Sequence, residues 1–179
     1  MARPKTPLKK LIAFYVRFTP SYSKIGFHAR SLTWSRFSQD FSGQTWLVTG
    51  GSEGIGGSAA RTAVNGGATV IVAARDAGKM AAFAASTNHP ERVIAEVADF
   101  SLQQETWKLV ERLQARGVRI DVLVNNVGIQ KHDQILTREG LEFSFATNIL
   151  SHYLLTRELL DRNILTDKAT VIEVASGGM

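Results

Sequence analysis

The stretch Trp46-Leu47-Val48-Thr49-Gly50-Gly51-Ser52-Glu53-Gly54-Ile55-Gly56 decides the fold of this 179-residue chain. An apolar run, a glycine-dense turn and a small-residue segment through Ala63 read as strand, tight turn and helix start. Such a turn cradles the pyrophosphate of a dinucleotide, because unpaired N–H groups at a helix N-terminus face negative charge. The spacing is T-G-x-x-x-G-I-G, with Gly50, Gly54 and Gly56 placed where a side chain would push the phosphates away. Thr49, Ser52 and Ile55 complete the candidate loop.

Outward from that loop the pattern alternates. Residues 45–49, 69–73, 92–97, 120–125 and 170–175 read as strands, and 55–65, 77–86, 102–115 and 141–160 as helices. Alternating βα units with apolar strands predict an α/β, doubly wound, Rossmann-like parallel sheet, truncated after the fifth strand, with ligands held at the carboxyl ends of the strands. Five candidate loops fall at that edge: the glycine turn, Arg75, Asp99, 125–128 and Ser176.

Composition fits one such domain. The chain is 44% hydrophobic and 21% charged, enough for one sizeable core. Cysteine is absent, which excludes disulfides, thiolate metal sites and a cysteine nucleophile, and no metal site is expected. The net charge of +5 is uneven, with eight Lys or Arg and no Asp or Glu in residues 1–39, against 13 basic and 16 acidic residues from Asp40 onward. The basicity therefore belongs to an N-terminal arm, residues 1–40, and does not predict nucleic-acid binding by the domain at 41–179. In the arm, Leu8, Leu11, Ile12, Tyr15 and Phe18 recur at helical spacing. Packing on the domain, contact with an anionic membrane surface and mitochondrial targeting are the three readings of that pattern. The expected settings are thus the cytoplasm, a membrane periphery or a mitochondrion. The apolar run 11–16 is far shorter than the ~20 residues of a membrane span.

The end of the second strand bears on cofactor choice. An acid there usually binds the ribose 2′-hydroxyl of NAD, whereas this chain has Ala73-Ala74-Arg75. A guanidinium matches a 2′-phosphate in charge and donor geometry, so NADP is expected over NAD, with Ser52 adding a hydrogen bond and Glu53 opposing the preference.

Together "TGGSEGIG", "VADFS", "NNVG", the "N" of "FATNILSHYLLT" and "VASGG" resemble the short-chain dehydrogenase/reductase family from about Gln44 to the C-terminus. The arm leading into "LVTGG" and the ending "ASGGM" look most like one branch of it. The resemblance implies that Asp99 bonds near the adenine ring, that Asn125 lines the cofactor and ties the central strands, and that Gly128 permits close approach. It implies that Asn148 holds a water in a proton relay and that Ser176 bonds the substrate carbonyl or hydroxyl. Each has a plainer reading: a turn or cap for Asp99, turns for Asn125 and Ser176, and a backbone-bonded helix interior for Asn148. His132, in the loop after the fourth strand, reads as a polar residue at the surface rather than a catalytic base or ligand.

The family reaction is hydride transfer to or from a carbon bearing oxygen, with a tyrosine as general acid or base and a lysine lowering its pKa. That Tyr-x-x-x-Lys falls about a dozen residues past the serine, and this sequence ends at Met179. Tyr153 and Arg157 mimic the spacing but precede the fifth strand. The expectation is the cofactor-binding part of an NADP(H)-dependent oxidoreductase for a carbonyl or secondary alcohol, lipid-like if the arm is a guide, and inactive by itself. The alternative is a non-catalytic nucleotide-binding or interaction module. Relatives often pair through helices flanking the fifth and later strands, so a homo-oligomer is also expected.

Overall fold

A computed structural model describes residues 8–34 and 39–175. The chain divides into two compact units, Met1–Ser38 and Gln39–Met179. In the first, α1 (Leu8–Tyr22) is followed by α2 (Lys24–Ser31). Ser23 caps α2, its Oγ accepting from Gly26 N at 3.2 Å. This second helix was not legible in the apolar spacing.

The second unit alternates β1 (Thr45–Thr49), α3 (Gly54–Asn65), β2 (Thr69–Ala74), α4 (Ala77–Ala85), β3 (Val93–Val97), α5 (Gln103–Ala115) and β4 (Ile120–Asn125). There follow α6 (Phe143–Phe145), a π-helical turn at Ala146–Leu150, α7 (Ser151–Asp161) and β5 (Leu165–Glu173). The strands pair in parallel in the order β3-β2-β1-β4-β5. Strand order therefore reverses between β1 and β4, which is where a doubly wound sheet opens a crevice at its carboxyl edge.

Strand periodicity divides the core into two layers. Leu47, Ile71, Ala73 and Leu123 point to one face and pack with Leu109 and Leu113 of α5 and Leu155 and Leu159 of α7. Val48, Val70, Val72, Val122 and Val124 point to the other and meet Ala60, Ala63 and Val64 of α3 and Met80 and Phe83 of α4. Small residues on α3 let that helix approach the sheet closely.

Most element bounds agree with expectation to within a residue, and the differences below have identifiable causes. The helix expected at 141–160 starts at Phe143, because Glu142 caps it by accepting from Ser144 N at 2.8 Å and Phe145 N at 2.6 Å. It then loosens to a π turn, where Thr147 Oγ1 donates to Phe143 O and Ser151 Oγ to Thr147 O, at 2.8 and 2.6 Å. The strand expected at 170–175 begins at Leu165, since the pairing shifts register between Ile120 with Leu165 and Val122 with Thr170. The polar Thr166, Asp167 and Lys168 in that irregular stretch broke the apolar pattern. Finally, Pro90–Arg92 forms a short 3₁₀ turn, so β3 starts one residue later than expected.

Candidate functional site

At the carboxyl edge of the sheet lies a cleft of about 940 Å³, lined by Gly50, Ser52, Glu53, Gly54, Arg75 and Lys79 on one side and Asp99, Asn126, Val127 and Gly128 on the other. Its floor is the glycine turn. Gly50 and Gly54 have φ of 63° and 57°, the left-handed region that favours glycine. Around Gly54 a Cβ would meet nothing within 4 Å, so the concavity is open to a ligand. At Gly56 the constraint is internal, because a Cβ would overlap Asn126 Nδ2 and Gly50 O.

Thr49 is buried under the turn and acts as its anchor. Its Oγ1 accepts from Asn126 N at 2.9 Å and Val127 N at 3.0 Å, and donates to Val124 O at 3.4 Å. Asn126 Nδ2 donates in return to Thr49 O at 2.9 Å and Gly50 O at 3.4 Å. Sequence reasoning chose Asn125 from this pair and missed Asn126. The fully buried Asn125 does not line the cleft; its Nδ2 donates to Thr156 Oγ1 at 2.9 Å and to Glu173 Oε1. Of its two expected roles, the geometry provides strand tying and does not bring the side chain to the cofactor side. The alternation of strand faces was the available signal, since residue 126 lies one step beyond β4 and is freed from the sheet.

Helix α3 begins without a side-chain cap, because the Glu53 side chain in the cap position makes no bond to it, only the Glu53 carbonyl accepting from Gly57 N at 2.8 Å. The Glu53 carboxylate instead accepts from Lys79 Nζ at 2.8 Å. That hydrogen bond, then the charge of Glu53, holds the Lys79 ammonium above the ordinary lysine value. The first N–H groups of α3 are thus free of any capping side chain, as an anion site requires. Arg75 is exposed on the cleft rim, and among the described residues no carboxylate pairs with it. Next to it, Asp76 caps α4, accepting from Lys79 N at 3.0 Å.

The remaining expected residues divide clearly. Asp99 lines the cleft and holds its own turn, Oδ1 accepting from Ser101 N at 3.0 Å and Ser101 Oγ at 2.7 Å. It is not the cap of α5; Glu139 serves there, accepting from Gln103 N at 2.7 Å and Gln104 N at 3.2 Å. Gly128 borders the cleft, with ordinary room for a Cβ. Ile55 is exposed on α3 and does not line it. Asn148 sits in the π turn, where Oδ1 accepts from Ile129 N and Nδ2 donates to Ile129 O, both at 2.8 Å. Both ends of its amide are committed to the loop after β4. Ser176 lies outside the described residues.

A second polar group supports the same loop. The buried His152 donates from Nε2 to Val127 O at 2.9 Å, while its Nδ1 faces Glu173 Oε2 at 3.0 Å. Residues 127 and 129 are therefore each held from behind by the segment 146–161, and the cleft wall is fixed without any ligand.

The family model for short chain dehydrogenases matches residues 44–178. Dehydrogenase/reductase SDR family member 12 of Bos taurus is 30% identical over 177 residues, covering 96% of this chain and 56% of that protein. Retinol dehydrogenase 13 of Mus musculus is 33% identical over 138 residues, covering 75% of this chain and 41% of the relative. The chain spans about half the length of the curated relatives it matches. Among solved structures, the RhlG/NADP active-site complex of Pseudomonas aeruginosa superposes with a TM-score of 0.64 at 29% identity, covering 76% of this chain and 56% of that one. A short-chain dehydrogenase from Streptomyces avermitilis gives a TM-score of 0.57 at 33% identity, over 68% and 44%.

Proposed function

The chain belongs to the short-chain dehydrogenase/reductase family, and from that membership we propose that it is the nucleotide-holding part of an NADP(H)-dependent oxidoreductase acting on a carbonyl or secondary alcohol. The observation that carries the cofactor reading is the guanidinium of Arg75, exposed on the cleft rim with no carboxylate partner among the described residues. A fixed planar fork of donors suits a dianionic 2′-phosphate and offers nothing comparable to a neutral 2′-hydroxyl. Glu53, which would repel that phosphate, has its charge matched by Lys79.

The open concavity at Gly54 and the uncapped start of α3 fit a pyrophosphate. Arg75 holds the 2′-phosphate, Asp99 accepts from the adenine side, and Gly50 and Ser52 border the phosphates. When bound, the nicotinamide supplies a hydride donor or acceptor. The chain's own work is to orient that ring, and Asn148 and His152 do so indirectly by fixing the backbone at Ile129 and Val127. Ser176 takes the substrate oxygen.

Among the described residues no tyrosine lines the cleft. As a second reading we propose that the 179-residue chain binds the nucleotide without turnover, as a nucleotide-binding module does. Fluorescence titration with NADPH and NADH tests the first reading: NADPH should bind more tightly, and equal affinities would overturn the preference. Carbonyl-reductase turnover by this chain matching that of a complete relative would overturn the second.

A further inference from the structure

The described residues of the N-terminal unit form two helices with a character of their own. In α1 the apolar residues Leu8, Ile12, Phe14, Tyr15, Val16 and Phe18 cover roughly 200° of the helix circumference at about 3.6 residues per turn. Lys9, Lys10 and Arg17 fall in the complementary arc. The apolar side chains are not buried: Tyr15 is 60% and Val16 69% exposed. Exposed apolar surface on this scale marks an interaction site in a soluble protein.

The second helix extends the same character. Gly26 is buried against Pro20, where a Cβ would overlap the Pro20 carbonyl, and Arg30 Nη2 donates to that carbonyl at 2.9 Å. This junction fixes α2 to the end of α1 and presents Ile25 and Leu32, 75% and 86% exposed. Phe27 and Trp34 stack edge to face at 5.2 Å and are both exposed. Trp and Tyr are the side chains that favour a boundary between an apolar phase and water.

We propose that residues 8–34 dock onto an anionic lipid surface, lying in its plane. Charge decides the partner: residues 1–39 contain eight Lys or Arg and no acid, so the segment supplies no carboxylate of its own to its cations. An apolar arc of this width needs an apolar phase, which a nucleic acid does not offer. The 15 residues of α1 reach about 22 Å, short of a hydrocarbon core of about 30 Å. Among the described residues no helix is long and apolar enough to cross a membrane.

The test is co-sedimentation of the whole chain with vesicles of phosphatidylcholine alone or with added phosphatidylserine. Binding should require phosphatidylserine and weaken as salt rises. Combined Lys9→Glu, Lys10→Glu and Arg17→Glu should lower vesicle affinity roughly tenfold or more, and Val16→Asp with Ile25→Asp should abolish it at any salt. NADPH titration of each variant reports that the second unit still folds. Equal binding to both vesicle types, or affinity unchanged by the charge reversal, would overturn the proposal. So would self-association that Val16→Asp abolishes in a chain that ignores vesicles, since the apolar face would then serve a second copy.

Discussion

The Glu53 carboxylate and the Lys79 ammonium meet at 2.8 Å, joining the glycine turn after β1 to the first turn of α4 across the rim of the nucleotide cleft. Both groups are exposed, so the pair adds little to stability, but it occupies a cation that a 2′-phosphate could use. Glu53→Gln should strengthen NADPH binding by roughly threefold to tenfold at low salt and leave NADH almost unchanged. Isothermal titration at two ionic strengths checks this, and the gain should shrink at the higher one.

Arg75→Ala should act in the opposite sense. Losing a charge-assisted fork on a phosphate costs NADPH affinity about tenfold or more, whereas NADH has no group there to lose. Parallel loss of both affinities would place the defect in the cleft wall and remove Arg75 from the 2′-phosphate.

Gly56→Ala tests the turn. The added methyl group runs into Asn126 Nδ2 and Gly50 O, and neither neighbour is the free end of a flexible chain. Relief requires breaking the Asn126 to Thr49 bonds, so stability should fall by about 1–3 kcal/mol, with dinucleotide binding lost beyond that fall. Urea unfolding and NADPH titration of one preparation separate the two effects.

Glu142 should contribute to acid sensitivity, as should Asp40 through its bond from Ser42. Backbone bonds from Ser144 and Phe145 hold the Glu142 carboxyl below the ordinary value of 4.5. A folded-state value below the unfolded one adds stability above pH 4.5, lost as pH falls through the lowered value. Glu142→Gln should therefore be less stable than the parent near neutrality and lose less on acidification below 4.5. Urea midpoints from neutral pH downward measure the convergence.

The sheet was readable because its three middle strands, β2, β1 and β4, are buried on both faces, so that Val48, Val70, Val72 and Val124 sit beside Leu47, Ile71 and Leu123 in continuous apolar runs. The start of β5 escaped because Thr166 to Lys168 carry no such run, and α2 because eight residues give too few turns to show a stripe. In the site, glycine spacing and Arg75 were legible from local sequence alone. Asn126 and Lys79 were not, since the importance of each depends on a partner 77 or 26 residues away. For Asn148 one reading was a helix interior bonded to backbone, but the partner, Ile129, 19 residues earlier, could only be found in three dimensions.

Thr49 stitches the floor of the cleft to its far wall with three hydrogen bonds of 2.9 to 3.0 Å, two from Asn126 and one from Val127, that involve no ligand. The loss of freedom that a mobile loop would suffer on capturing a nucleotide has thus already occurred when the sheet forms. Association with the cofactor should look like the docking of two rigid bodies: one kinetic phase, with a rate that rises in proportion to nucleotide concentration and shows no plateau from a slow closing step.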